Sequence, residues 1–323
     1  MAKVFDTLLL LALPASGKSE VRRYLDLLPP EDAARDFHMG HSVQLDDFPY
    51  VHMMRRVDEE LMAMEQPRLY FVADDKSFQD PYDWGTLIQL VNEDYDDLVA
   101  RRVPNPATPG MDLLERLERA SQAAGARSKI AALEDAVRAR LATALDAEAR
   151  DMLAEKARNI PETLKGRTVV IEFARGGPDG SAMPLEPPMG YRFSLSQLSE
   201  SILSTAAILY IWVTPEESRR KNSARADPDD PGSILNHGVP IDVMMNDYGC
   251  DDIDHMLATS STPGTIEVTI AGHTHRLPLG RFDNRVDKTT FLRDDQKGWK
   301  PEDVAAVHQG LKEACDTAIK NYT

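Results

Sequence analysis

Six apolar residues in a row, Leu8 to Leu13, are stopped by Pro14 and followed at once by Ala15, Ser16 and Gly17. A short apolar run closed by a breaker and small residues predicts a buried strand leading into a tight turn. "GKSEVRRYLDLL" then keeps Val21, Leu25 and Leu28 on one helical face, until Pro29 and Pro30 end it. Strand, tight turn and amphipathic helix in immediate succession are the repeating unit of a layered α/β protein.

The unit recurs. "SVQLDDF" predicts a second strand and "YVHMMRRVDEELMAME" a helix, "RLYFVADD" a third strand, and "DWGTLIQLVNEDYDDLVARR" a helix with Leu87, Leu90, Val91 and Leu98 at helical spacing. "PNPATPG" at 104–110 breaks the pattern. Residues 111–158 are rich in Ala, Arg, Glu and Leu, with Ile130, Leu133, Val137, Leu141 and Leu145 on one stripe and Gly125 near the bend. This predicts a long helical hairpin, an insertion over 104–165 in a single domain spanning 1–323. The alternation then resumes. "GRTVVIEFARGG" and "AILYIWVT" read as buried strands, "SLSQLSESILSTA" as a serine-capped helix, and "PEESRRKNSAR" as a helix with Pro215 at its start. Residues 215–250 read as a lid-like segment, "TIEVTIAGHTHRLPLGRF" as a half-buried hairpin over 265–282 turning at 272–275, and "PEDVAAVHQGLKEACDTAIKNY" as a closing helix. The expected fold is α/β: a doubly wound, mostly parallel sheet with a long helical insertion.

With 323 residues, 42% of them hydrophobic, the chain can bury such a core. Its formal charge of −16 disfavours nucleic acid and anionic membranes as partners. The apolar run at Leu8 is too short for a membrane span and lacks a basic leader. Cys250 and Cys315 have no short spacing, so they are expected to be reduced thiols and to bind no zinc. A cytoplasmic protein is expected.

"LALPASGKSE" fits the phosphate-loop pattern G-x-x-x-x-G-K-[ST] except at its first position, where Ala12 replaces glycine. Such a loop binds anions through backbone N–H groups and a helix N-terminus. Pro14, Ala15, Ser16, Gly17, Lys18 and Ser19 are therefore expected to bind nucleotide, with Lys18 on the phosphates and the Ser19 hydroxyl on Mg²⁺. Alanine for the first glycine would cost roughly 1 kcal/mol if that position wants a positive φ.

Together, "LPASGKSE", "QLDDF" after the second strand and "VVIEFAR" on a later one resemble the phosphate-loop small-molecule and nucleotide kinases. Among these the layout is similar to zeta-toxin-like and chloramphenicol-phosphotransferase-like kinases. The resemblance covers some 30 scattered positions in the first 175, and the stretch between Phe48 and Thr168 departs from compact kinases. It implies ATP and Mg²⁺, an aspartate after the second strand acting on the acceptor hydroxyl, and a strand-end glutamate facing a small-molecule or nucleotide substrate. Asp46 and Asp47 match the first and Glu172 the second. All three lie at predicted strand ends, where open parallel sheets bind ligands. One of the aspartates suits the acceptor hydroxyl, and Asp46 is also a candidate for the Mg²⁺ shell. Arg219, Arg220 and Arg225 are candidates for stabilising the transferring charge, although at most two or three of the basic side chains there can converge. Arg175 is a candidate for a substrate phosphate.

Other motifs were weighed. "GHTH" at 272–275 matches one loop of two-metal phosphoesterases, but the Asp-x-His and Gly-Asn-His segments those enzymes need are missing in order. "DDPG" at 229–232 follows no apolar strand, and "NRVD" at 284–287 has Arg where a guanine-reading motif has Lys. His237 reads as a loop histidine. A non-catalytic or regulatory nucleotide-binding module is the alternative reading, favoured by Ala12 and by the insertion.

Overall fold

The computed structural model describes residues 3–225 and 238–322. Its six strands are β1 (Thr7–Leu11), β2 (His41–Asp46), β3 (Arg167–Phe173), β4 (Ala206–Trp212), β5 (Thr265–Ile270) and β6 (His273–Asp283). They form one sheet in the order β2-β3-β1-β4-β6-β5. All neighbouring pairs are parallel except β5 and β6. The helices are α1 (Lys18–Asp26), α2 (Pro30–Asp36), α3 (Phe48–Ala63), α4 (Asp83–Ala100), α5 (Pro109–Ala124), α6 (Asp135–Asn159), α7 (Gly190–Ser196), α8 (Glu200–Leu203), α9 (Pro215–Arg225), α10 (Ile241–Asn246), α11 (Ile253–Thr259) and α12 (Pro301–Ile319). Among the described residues no helix is long and apolar enough to cross a membrane.

The apolar run that opens the chain explains the layering. Successive side chains of a strand face opposite sides. Leu9 and Leu11 join Val91 and Leu98 of α4, Leu195 of α7 and Ile202 of α8 in one core. Leu8 and Leu10 join Val21 of α1 and Val307, Leu311 and Cys315 of α12 in a second. Helices therefore cover both faces, as in a doubly wound fold. A third core belongs to the insertion: Met53, Met54 and Leu61 of α3 meet Leu113 and Leu117 of α5 and Leu141 and Leu145 of α6. Helices α5 and α6 pass so closely that a Cβ on Gly110 would lie 2.0 Å from the Ala142 carbonyl oxygen. Gly125 ends α5 in the left-handed conformation, at the expected bend.

Several expectations fail at loops that carboxylates organise. "RLYFVADD" is not a strand; it makes one isolated bridge, Phe71 to Phe78. The fully buried Asp58 of α3 accepts the N–H groups of Leu69 at 2.7 Å and Phe71 at 2.8 Å, which a neighbouring strand would otherwise take. Ile130 and Leu133 lie before α6, in a connector where Glu118 accepts the N–H groups of Lys129, Ile130 and Ala131. "SLSQLSESILSTA" is two helices, α7 and α8, and α7 starts at Gly190, four residues before the serine expected to cap it, with Asp252 accepting the N–H groups of Tyr191 and Arg192. The hairpin turns at Ala271 and Gly272, with φ of 48° and 82°, so His273 to His275 belong to β6.

Asp58→Ala leaves three buried N–H groups without their acceptor and is expected to lower unfolding free energy by about 3 kcal/mol. Urea unfolding measures this. A loss within experimental error would show that residues 69–71 are held by something else.

Candidate functional site

The chain leaves β1 toward β2 and β3 on one side and crosses to β4 on the other, so the strand order reverses at β1. A crevice opens at the carboxyl ends of the strands at such a point. The turn at residues 12–17 sits there. Its backbone is strained at Ala15 (φ 54°) and Gly17 (φ 104°), whereas Ala12 is not among the residues with positive φ. Ala12 is instead fully buried in the core on the α1 and α12 side. A Cβ on Gly17 would lie 2.4 Å from Thr289 Oγ1, so glycine is required there by both conformation and space.

The carbonyls of the turn are taken by donors from distant segments. Tyr191 Oη of α7 donates to Ala12 O at 2.9 Å. Ser218 Oγ of α9 donates to Pro14 O at 2.7 Å, and Asn284 Nδ2, just past β6, to Ser16 O at 2.7 Å. The buried Lys18 Nζ lies 3.2 Å from Ala12 O and 3.5 Å from Leu13 O. Among the described residues no acceptor is bonded to the N–H of Ala15, Ser16 or Gly17, and the buried Ser16 Oγ has no hydrogen-bond partner. Buried donors of this kind fit an acceptor-only ligand such as a phosphate. Ser19 is half-buried in the first turn of α1.

Beside the turn lie the carboxylates. Asp46 and Glu172 are register neighbours on β2 and β3. Arg22 of α1 pairs with Glu172 at 3.1 Å. Asp46 Oδ1 accepts the N–H of Phe48 at 3.0 Å. Burial, with Glu172 and Asp47 adding their negative charge, pushes the Asp46 carboxyl up to about 7, against the pull of Arg22. Asp47 sits 2.7 Å from Arg175 Nη1, an ion pair without hydrogen-bond alignment. Arg175 itself is buried, donating to Ser194 Oγ and to the carbonyls of Ala174 and Trp84. Its donors are thus turned into the protein, and not toward a substrate phosphate as the sequence led one to expect.

The basic residues of α9 separate by face. Arg220 is exposed and bidentate to Glu217, away from the turn. Lys221 is buried and pairs with Asp287 at 2.7 Å. Arg219 lies 3.7 Å from Asp179 and 3.5 Å from Glu216, with its buried Nη1 in no hydrogen bond. The side chain of Arg225, "DDPG", His237 and the middle of the lid-like segment lie outside the described residues. His273 and His275 stand near the start of β6, the opposite end from the turn, and no group of three or more His, Cys, Asp or Glu among the described residues is placed to hold a metal. A Mg²⁺ held by one hydroxyl, phosphate oxygens and water would need no such group.

Sequence reasoning missed Tyr191, Ser218 and Asn284. Only Asn284 carried a signal: "NRVD", set aside as a base-reading motif, supplies the amide that grips the turn. No family model, curated protein or solved structure matches the chain.

Ala12→Gly removes a buried methyl and adds backbone freedom where no positive φ is needed, so stability should fall by about 1–2 kcal/mol. Ala15→Gly should leave it unchanged or raise it by up to about 1 kcal/mol. The opposite order in thermal unfolding would show that the turn's strain lies at residue 12.

Asp46 binds its proton more tightly folded than unfolded. Its contribution to stability is full below about pH 4 and lost as pH rises to about 7. Asp46→Asn removes that loss, so the melting temperature of the variant minus that of the parent should increase from pH 5 to pH 8. A flat difference would place the Asp46 pKa in the ordinary range.

Proposed function

We propose that the protein is an ATP- and Mg²⁺-dependent phosphotransferase that moves a γ-phosphoryl group onto a hydroxyl of a small molecule or nucleotide. The observation that carries this reading is one juxtaposition. A turn whose carbonyls are held and whose N–H groups are left for an anion adjoins a carboxyl poised near neutrality. Phosphoryl transfer needs positioning and electrostatic stabilisation, plus a group to receive the hydroxyl proton.

The roles follow from position. The N–H groups of residues 15–17 and the start of α1 hold phosphate oxygens, and Lys18 adds its charge at the same place. A cleft of about 270 Å³ on the far side of Asn284, lined by Asp287, Lys288, Thr290 and Phe291, suits the nucleoside end. Mg²⁺, when bound, neutralises charge on the phosphates. The Ser19 hydroxyl, and Asp46 through water, would hold it. The acceptor oxygen attacks the γ-phosphorus, and the bond from phosphorus to the bridging oxygen breaks with its electron pair leaving on ADP. Asp46, ionised, takes the hydroxyl proton. Glu172 keeps Asp46 basic, and Arg22 holds Glu172 in place. Arg219, with a buried donor in no hydrogen bond, is the α9 residue best suited to the transferring charge.

Lys18→Ala should abolish ATP turnover while circular dichroism stays unchanged. Asp46→Asn should slow phosphotransfer at least about 100-fold with nucleotide affinity retained. Undiminished turnover in Lys18→Ala would overturn the proposal, and tight nucleotide binding without transfer to any acceptor would identify a binding module instead.

A further inference from the structure

An apolar-walled cleft lies apart from the phosphate-binding turn and includes Asp46 in its lining. It has a volume of about 110 Å³ and lies between the end of β2, α4 and the α5–α6 hairpin. Leu45, Leu98, Leu113, Met152, Leu153 and Ile160 give it apolar walls, and Tyr50, Asp94, Arg116 and Lys156 a polar floor. The volume is below that of pockets for drug-sized ligands, so the occupant is compact.

The charges select among compact ligands. Both cations of the lining are already answered. Arg116 is held by Glu93 at 2.8 Å and by Asp94 at 2.9 Å. Lys156 is held by Asp94 at 2.7 Å and by Asp97 at 2.5 Å. Tyr50 Oη completes the network, donating to Asp94 and accepting from Arg116. On the other side of the balance, Asp112 and Glu155 line the cleft, and among the described residues neither makes an ion pair. Asp94, Asp112 and Glu155 against Arg116 and Lys156 leave one negative charge in excess, and two when Asp46 is ionised. An anion entering here meets carboxylates and no uncommitted cation. An ammonium group gains from the same field, and apolar walls raise that gain by lowering the local dielectric.

We infer that this cleft is the acceptor site and that it takes a compact hydroxyl compound bearing an amine, with no phosphate or carboxylate of its own. The hydroxyl faces Asp46 and the amine faces Asp112 and Glu155 on the hairpin. The assignment as acceptor rests on the phosphotransferase reading; the binding preference does not. Within that reading it removes nucleotides from the acceptors and gives the helical insertion a purpose, as the wall that sets substrate charge.

Titration calorimetry on the full chain without nucleotide tests it, using glucosamine, glucose and glucose 6-phosphate together with 2-aminoethanol, ethylene glycol and glycol phosphate. Each triple differs mainly in charge. The amine should bind on the order of tenfold tighter than the neutral compound, and the phosphate weakest. The double variant Asp112→Asn, Glu155→Gln should reduce the amine preference to about threefold or less. Ala149→Leu, or Met152→Trp if the first variant is unstable, should fill the cleft and weaken binding of every compound. Equal or tighter binding of the phosphates, no binding of either amine, or indifference to the filling variants would overturn the inference. Amine binding retained in Lys18→Ala, with no ATP turnover in the parent, would leave the binding site standing and remove the phosphotransferase reading. Turnover with anionic acceptors alone would do the reverse.

Discussion

Every carbonyl in a tight turn needs a donor, and the direction in which the carbonyls point fixes the direction left for the N–H groups. In the turn after β1 the donors come from Tyr191, Ser218 and Asn284, on three segments that the sheet alone brings together. Because α7, α9 and the end of β6 each hold one carbonyl, the turn cannot flip without breaking buried hydrogen bonds. The left-handed residues Ala15 and Gly17 are held in place by those bonds. Glycine is required only at position 17, and alanine at position 12, where φ is not positive, is compatible with the turn.

The neighbouring carboxylates are differentiated by which of them has a cation. Glu172 has Arg22 and Asp47 has Arg175. Asp46 stands between these pairs, and among the described residues no cation lies within ion-pair distance of it. Burial and two flanking negative charges then act on one carboxyl, raising it to about 7. Arg175, placed by its spacing from Glu172 as a substrate ligand, serves this division by committing itself to Asp47 and to three further acceptors.

The sheet was legible because it rests on local pattern: apolar runs bounded by proline and glycine, and helices with three- and four-residue spacing. The strand ends carrying Asp46 and Glu172 followed from the same pattern. What stayed hidden depends on single side chains reaching across the fold. "RLYFVADD" has the composition of a strand, but Asp58, eleven residues upstream of Leu69, takes the N–H groups that would have paired. Asn284 lies 268 positions from the carbonyl it grips, and no local property of "NRVD" states that distance. The hairpin turn is displaced by two residues because Ala271, and not a histidine, adopts a positive φ beside Gly272. The outward turn of Arg220 and inward turn of Lys221 depend on the rotation of α9, which the Ser218 bond to Pro14 fixes.

Helix α3 joins the segment after β2 to the insertion. It begins at Phe48, whose N–H is bound by Asp46, and two residues later it presents Tyr50 to Asp94 of α4 and Arg116 of α5. Farther along, Met53, Met54 and Leu61 enter the core of the insertion. An insertion that only decorated the surface would need no such connection. Here the hairpin packs on α3, whose apolar side is tied to the insertion core and whose first N–H is taken by Asp46, so the seating of the insertion and the position of Asp46 depend on one helix.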